Sequence, residues 1–331
     1  MSRSCEQTSD QHSMLILYPE LKPYKRHQLK VSELHELYLD ESGSPDGLPV
    51  LFVHGGPGAA CDASSRRFYD PSRFRIITFD QRGCGRSTPH GELEENETDY
   101  LIADIEAIRA YLDVDKWVLF GGSWGATLSL LYAQKYPDAV LGMILRGVFL
   151  CRQQDLSWLY KDGTRQVFPD YWEEFIKVIP ESERDNLVQA YYKRLTGNDE
   201  LARMATAKAW SAWEGNCSTL RPSVEALKKM TKAHNALALA RIETHFFMNA
   251  GFIEENQILK NMETIKYIPG RIVHGRYDMG CPLENAHTLH QHWPSSELYI
   301  IRDAGHSSLE PGTVDALIRA VQDLAKELER D

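Results

Sequence analysis

The stretch Lys116-Trp117-Val118-Leu119-Phe120-Gly121-Gly122-Ser123-Trp124-Gly125-Ala126-Thr127-Leu128-Ser129-Leu130-Leu131-Tyr132 decides how this chain is read. A short apolar run ends in two glycines and a serine, and a helix-forming run begins immediately after them. Strand, G-x-S-x-G and helix in that order describe a tight turn that lifts a serine hydroxyl above the end of a sheet. Residues 121 and 125 must be small for the strand and helix to close around that serine. The positive end of the helix then faces the hydroxyl. In this context Ser123 reads as a nucleophile.

A serine hydroxyl needs a base to take its proton. Behind such a turn the acid and then the base follow in chain order, each in a loop after a later strand. Arg271-Ile272-Val273-His274-Gly275-Arg276-Tyr277-Asp278 places Asp278 just past a strand, and Leu298-Tyr299-Ile300-Ile301-Arg302-Asp303-Ala304-Gly305-His306 does the same for His306. His306 is the expected general base and Asp278 the residue that orients it. Asp303 competes for the acid role, but its spacing of three from His306 suits a loop contact better. Two backbone N–H groups must also meet the developing oxyanion. Trp124 supplies one. The other should come from His54-Gly55-Gly56-Pro57-Gly58, where Pro57 has no N–H, so Gly56 is the expected donor.

Around these motifs, apolar runs alternate with helical patterns. His27 to Gly43 reads as two antiparallel strands. Six further runs follow: Pro49–Val53, Arg75–Phe79, Lys116–Phe120, Val140–Leu145, Arg271–Val273 and Glu297–Ile301. Helices are expected over Tyr100–Leu112, Trp124–Tyr136 and Thr313–Glu329. Together they predict an α/β architecture, with a mostly parallel eight-stranded sheet covered by helices on both faces. Between about 150 and 250 the strands stop. That block holds four of the seven tryptophans and a net charge of +1, leaving −11 for the rest, and reads as an all-helical insertion. The expected division is a disordered tail (1–13), core (14–149), helical cap (150–250) and core again (251–331).

The chain of 331 residues carries a formal net charge of −10 and has no basic run, which argues against nucleic-acid binding. No apolar stretch approaches the roughly 20 residues of a membrane span, and no signal-peptide core is evident. The six scattered cysteines read as free thiols, so a cytoplasmic protein is expected. His287-x-x-His290-x-His292 lacks a carboxylate or cysteine at ligand spacing, so no metal and no cofactor are expected. No self-complementary apolar helix stands out, and a monomer is favoured over an oligomer.

Taken together, the chain resembles the prolyl aminopeptidases (proline iminopeptidases), serine peptidases with the α/β-hydrolase fold and a helical cap. The resemblance runs from about residue 20 onward. It rests on His54–Gly58, on Asp80-Gln81-Arg82-Gly83-Cys84-Gly85-Arg86-Ser87, on Gly121–Gly125 and on Gly275–Asp278, joined by Trp210-Ser211-Ala212-Trp213-Glu214 and Ala240-Arg241-Ile242-Glu243 in the insertion. It implies removal of an N-terminal proline from small peptides, with the cap binding the free amine.

Two cap glutamates fit that role on their own chemistry. Glu214 precedes Gly215 at an expected helix end, where a negative charge opposes the helix dipole. Glu243 falls on an apolar stripe with Ala236, Leu239, Ala240, Phe246 and Phe247, where a carboxylate is costly unless satisfied. A prolyl ammonium has two N–H donors, which two carboxylates can accept. Phe149, expected at a strand end, points toward the site. Phe247 and Cys281 match positions that line the family's pocket. Two alternatives stand beside this reading: a small-acyl esterase or amidase with structural cap glutamates, and a non-catalytic receptor that keeps the fold.

Overall fold

In the computed structural model, residues 13–330 are described, so all but the last residue of the expected N-terminal tail lies outside the described residues. The sheet is built from β1 (Lys25–Lys30), β2 (Glu36–Gly43), β3 (Leu48–Val53), β4 (Phe74–Phe79), β5 (Trp117–Gly122), β6 (Val140–Arg146), β7 (Gly270–Gly275) and β8 (Ser296–Ile301). Their spatial order is β1-β2-β4-β3-β5-β6-β7-β8. The β1–β2 and β2–β4 pairs are antiparallel and every other pair is parallel. Both faces are buried, so the strands read as continuous apolar runs whose alternate residues enter different layers. Leu51, Ile77 and Leu119 pack on one side, while Val50, Ile76 and Val118 pack on the other.

The helices are α1 (Thr98–Tyr111), α2 (Trp124–Lys135), α3 (Gln153–Ser157), α4 (Pro169–Lys177), α5 (Leu187–Leu195), α6 (Glu200–Cys217), α7 (Val224–Met230), α8 (Ala233–Met248), α9 (Gln257–Lys260), α10 (Leu283–Gln291) and α11 (Pro311–Leu328). Helices α1 and α2 bury Leu101, Ile105, Ile108, Leu128 and Leu131 on the first layer. Helix α11 starts with Pro311, whose missing N–H matters least there. It lays Val314, Leu317, Ile318, Val321 and Leu324 on the opposite layer. At roughly 1.5–3 kcal/mol per buried aliphatic side chain, that stripe alone fixes the helix.

Between β6 and β7 the chain is helical from α3 through α9 and forms no strand. Helices α6 and α8 pack against each other, and Asp199 caps α6 by accepting from Ala202 N–H at 3.0 Å. The core of this layer is aromatic. Tyr160 stacks on Trp210 at 4.5 Å, and Phe175 stacks on Tyr191 and Trp213 at 4.7 and 5.4 Å. Two expectations need correction. Helix α6 continues past Gly215 to Cys217, so Glu214 lies in its last turn rather than at its end. Strand β6 stops at Arg146 because Gly147 takes φ +53°, which puts Phe149 in the following loop rather than at the strand end. The cysteines among the described residues (Cys61, Cys84, Cys151, Cys217, Cys281) are all free.

Candidate active site

Strand β5 runs directly into the turn, where Ser123 adopts φ 57°, ψ −123° before α2 begins at Trp124. A serine in this left-handed region is strained and persists only because its surroundings over-determine it. Ser123 N–H donates to Arg146 O at 2.9 Å. A Cβ at Gly125 would collide with the Val53 carbonyl oxygen, and one at Gly121 with that of Gly125. Close backbone approach, not flexibility, is what the two glycines provide.

Asp278 follows β7 and His306 follows β8. Asp278 Oδ2 lies 2.7 Å from His306 Nδ1, while Asp278 Oδ1 accepts from Cys281 N–H at 2.7 Å. Burial pushes the Asp278 carboxyl up, but His306, His274 and the Cys281 N–H outweigh it and leave the group below its ordinary value. Asp303, the competing acid, is exposed. The His306 main chain is held from two directions: its N–H donates to Ser218 O of the cap at 2.9 Å, and Arg146 Nη1 donates to its carbonyl at 2.7 Å. Ser123 and His306 line one cavity, with Cys281 beside them, and no hydrogen bond joins Ser123 to His306 among the described residues. Such contacts commonly tighten only when substrate is bound.

That cavity is also lined by Gly56, Phe149, Glu214, Glu243, Phe247 and Cys281. Asp278, bonded to His306, and Trp124, whose side chain is fully buried, are not among the lining residues. Among the described residues, the N–H groups of Gly56 and Trp124 donate to no protein acceptor. Phe149 and Phe247 meet edge to face at 5.9 Å and form an apolar wall. The Cys281 thiol is buried, and burial pushes its pKa far up, so it stays protonated.

The cap carboxyls have neutral partners. Trp210 Nε1 donates to Glu243 Oε2 at 2.6 Å, and the Tyr160 hydroxyl donates to Glu214 Oε1. The two carboxyls are also in hydrogen-bonding contact with each other, which requires one of them to carry a proton. Burial, and for Glu243 the adjacent Glu214 charge, push both above the ordinary range. Glu243 is only 2% exposed, while Glu214 borders the cavity and is half-buried. Arg241, two residues from Glu243, turns away to the carbonyls of Gly91 and Leu195. Among the described residues, no Lys or Arg pairs with either glutamate, and no group of His, Cys, Asp or Glu is arranged to hold a metal.

Sequence reading missed Tyr160, which sits in a single π-type turn, Trp158–Asp162, and carries no periodic signal. It also missed Cys217 and Ser218, which line the same cavity three and four residues after Glu214 and were detectable from that helical spacing.

The alpha/beta hydrolase fold family matches residues 49–313. Among solved structures, an esterase from Rhodococcus sp. ECU1013 superimposes with a TM-score of 0.60 at 17% identity, covering 92% of this chain and 98% of its own. The fold and the serine turn thus define an α/β-hydrolase. A proline iminopeptidase from Xanthomonas citri is 50% identical over 94% of this chain and 100% of its own length. One from Arabidopsis thaliana is 49% identical over 92% of this chain and 80% of its own. The chain belongs to the proline iminopeptidase family.

Proposed function

We propose that the protein releases an N-terminal proline from peptides through an acyl-enzyme on Ser123, with the free imino terminus held by Glu214 and Glu243. The observation that carries this reading is the placement of two carboxyls, one buried and one half-buried and neither paired with a Lys or Arg among the described residues, on the same cavity as the serine. A secondary ammonium brings one positive charge and two N–H donors. It satisfies both acceptors and releases the proton they share. The Phe149–Phe247 wall suits the pyrrolidine ring.

With the ring seated, Ser123 Oγ attacks the prolyl carbonyl carbon as His306 Nε2 takes the hydroxyl proton. Asp278 keeps the other imidazole N–H directed and stabilises the imidazolium. The carbonyl oxygen gains its charge against the N–H groups of Gly56 and Trp124. Collapse breaks the C–N bond, and His306 returns the proton to the leaving peptide amine. Water, deprotonated by His306, then attacks the prolyl ester and frees proline and Ser123. Phosphate, metal and redox groups enter at no step.

The test compares prolyl arylamide with its N-acetylated form, which keeps the ring and carbonyl but loses the charge. The expected result is a loss of about 10²-fold or more in kcat/KM on acetylation, in line with stranding buried charge partners. Equal rates would leave an amidase or esterase with structural cap glutamates. If an active-site serine probe fails to label Ser123, the protein is a non-catalytic receptor.

A further inference from the structure

Gln81 follows β4 in the loop Asp80–Ser87 and is 1% exposed. Strand β3 lies between β4 and β5 in the sheet, so a side chain leaving the end of β4 must cross the end of β3 to reach the serine turn. Gln81 does so. Its Nε2 donates to His54 O at 2.8 Å, and its Oε1 accepts from Trp124 Nε1 at 3.2 Å. Its own backbone N–H donates to His54 Nε2 at 2.9 Å. Since that nitrogen accepts, the His54 proton sits on Nδ1, which donates to Gly55 O at 2.9 Å. Burial lowers the His54 pKa and keeps this single tautomer.

One amide therefore ties the segment leading into Gly56 to the residue that opens α2. These two places carry the backbone N–H groups of Gly56 and Trp124, which have no protein acceptor among the described residues. We infer that Gln81 is a positioning residue that fixes the separation and aim of the Gly56 and Trp124 N–H groups, through His54 on one side and the Trp124 indole on the other. Gln81 touches no substrate, and the inference rests on the oxyanion role given above to those two groups. The residue type follows from the chemistry: the strap needs a donor and an acceptor in one side chain of this length, which a primary amide offers. A carboxylate there accepts twice and faces the His54 carbonyl without a proton to give. An aliphatic side chain offers neither.

The test uses the full-length enzyme with Gln81→Leu and Gln81→Glu. Each is assayed with a prolyl arylamide, with prolylboronic acid as a tetrahedral mimic and with pyrrolidine as a ring amine that carries no carbonyl or carboxylate oxygen. Thermal unfolding of each variant is recorded alongside. In both variants kcat and boronate affinity should fall about 10–100-fold, while KM and pyrrolidine inhibition stay within about twofold. For Gln81→Glu the deficit relative to wild type should shrink as pH falls, because a protonated carboxyl regains the donor. If Gln81→Leu does not fold, the isosteric Gln81→Glu pH series carries the test alone. Unchanged boronate affinity in a folded variant overturns the inference, and so does an equal loss of pyrrolidine binding. If the wild type itself binds the boronate no more tightly than pyrrolidine, the oxyanion role of Gly56 and Trp124 fails and this inference falls with it.

Discussion

The sheet domain and the roof of the cavity treat buried acids in opposite ways. Below the site, buried carboxylates have basic side chains as partners. Asp104 takes two hydrogen bonds from Arg82 at 2.7 and 2.8 Å, Asp80 is paired with Arg86 at 2.7 Å, and Asp40 is paired with Arg66. Asp278 meets His306, and even Asp155 on the cavity wall is tied to Arg152 at 2.9 Å. In the roof, among the described residues, Glu214 and Glu243 hydrogen-bond only to a phenol, an indole and each other, and His306 acts on Glu214 electrostatically. No arginine or lysine among the described residues offsets the cost of burying them. That imbalance is what the proposed amine site rests on.

The contrast can be broken most severely at the compensated acid of the site. Asp278→Asn should fold and keep KM within a few-fold, yet lose about 10⁴ in kcat, because an amide stabilises the wrong imidazole tautomer. Steady-state kinetics on a prolyl arylamide reads the loss, and a variant with full kcat would remove Asp278 from the mechanism. Next comes the compensated acid away from the site. Arg82→Ala leaves Asp104 buried without its partner and should cost about 3–5 kcal/mol in urea unfolding, with the Arg82→Met, Asp104→Leu pair recovering most of it. Burial already pushes the Asp104 carboxyl up against its arginine, so the single variant should bind a proton there.

In the roof the penalty falls on function instead. Glu214→Ala and Glu243→Ala should each lose about 2–5 kcal/mol of kcat/KM on free prolyl substrates and much less on N-acetylated ones. Unchanged kcat/KM in both variants would end the proposed amine site. The smallest effect has the opposite sign. The Glu243 carboxyl is held above its unfolded value, so its contribution to stability is complete below the unfolded value and is lost as pH rises through the folded one. Glu243→Gln removes that loss and should stabilise the fold at pH 8 by about 1–2 kcal/mol, a gain that disappears toward pH 4 in thermal melts. A gain that persists at pH 4 would mean packing, not charge, is responsible.

The sequence displayed the sheet clearly because the parallel strands are apolar-rich runs followed within two residues by a glycine or an acid. It also pointed to Ser123, Asp278 and His306, since each lies within a few residues of the end of such a run. Glu243 was visible as a carboxylate on an apolar stripe, a local conflict between residue type and position. What local pattern could not display was pairing across elements. Trp210 lies 33 residues from Glu243, Tyr160 lies 54 from Glu214, and Gln81 lies 43 from Trp124. None of these contacts leaves a period in the chain. The end of β6 was overestimated for a related reason: Val148-Phe149-Leu150 continues the apolar run, and only the backbone turn at Gly147 ends it.

The polypeptide leaves the sheet at Arg146 and returns at Gly270 on the neighbouring strand, where β6 and β7 pair in parallel. Arg146 pairs with Val273 and Gly270 with Met143, so the two junctions sit at opposite ends of a short parallel ladder, roughly 11 Å apart. Between Gly147 and Pro269, whose backbones still bond to Val273 and Met143, no residue supplies a rung to the ladder beneath. A scaffold built this way is open to grafting: another roof whose ends span that gap, set over the same alcohol and imidazole, would redirect the chemistry to a new class of acyl group.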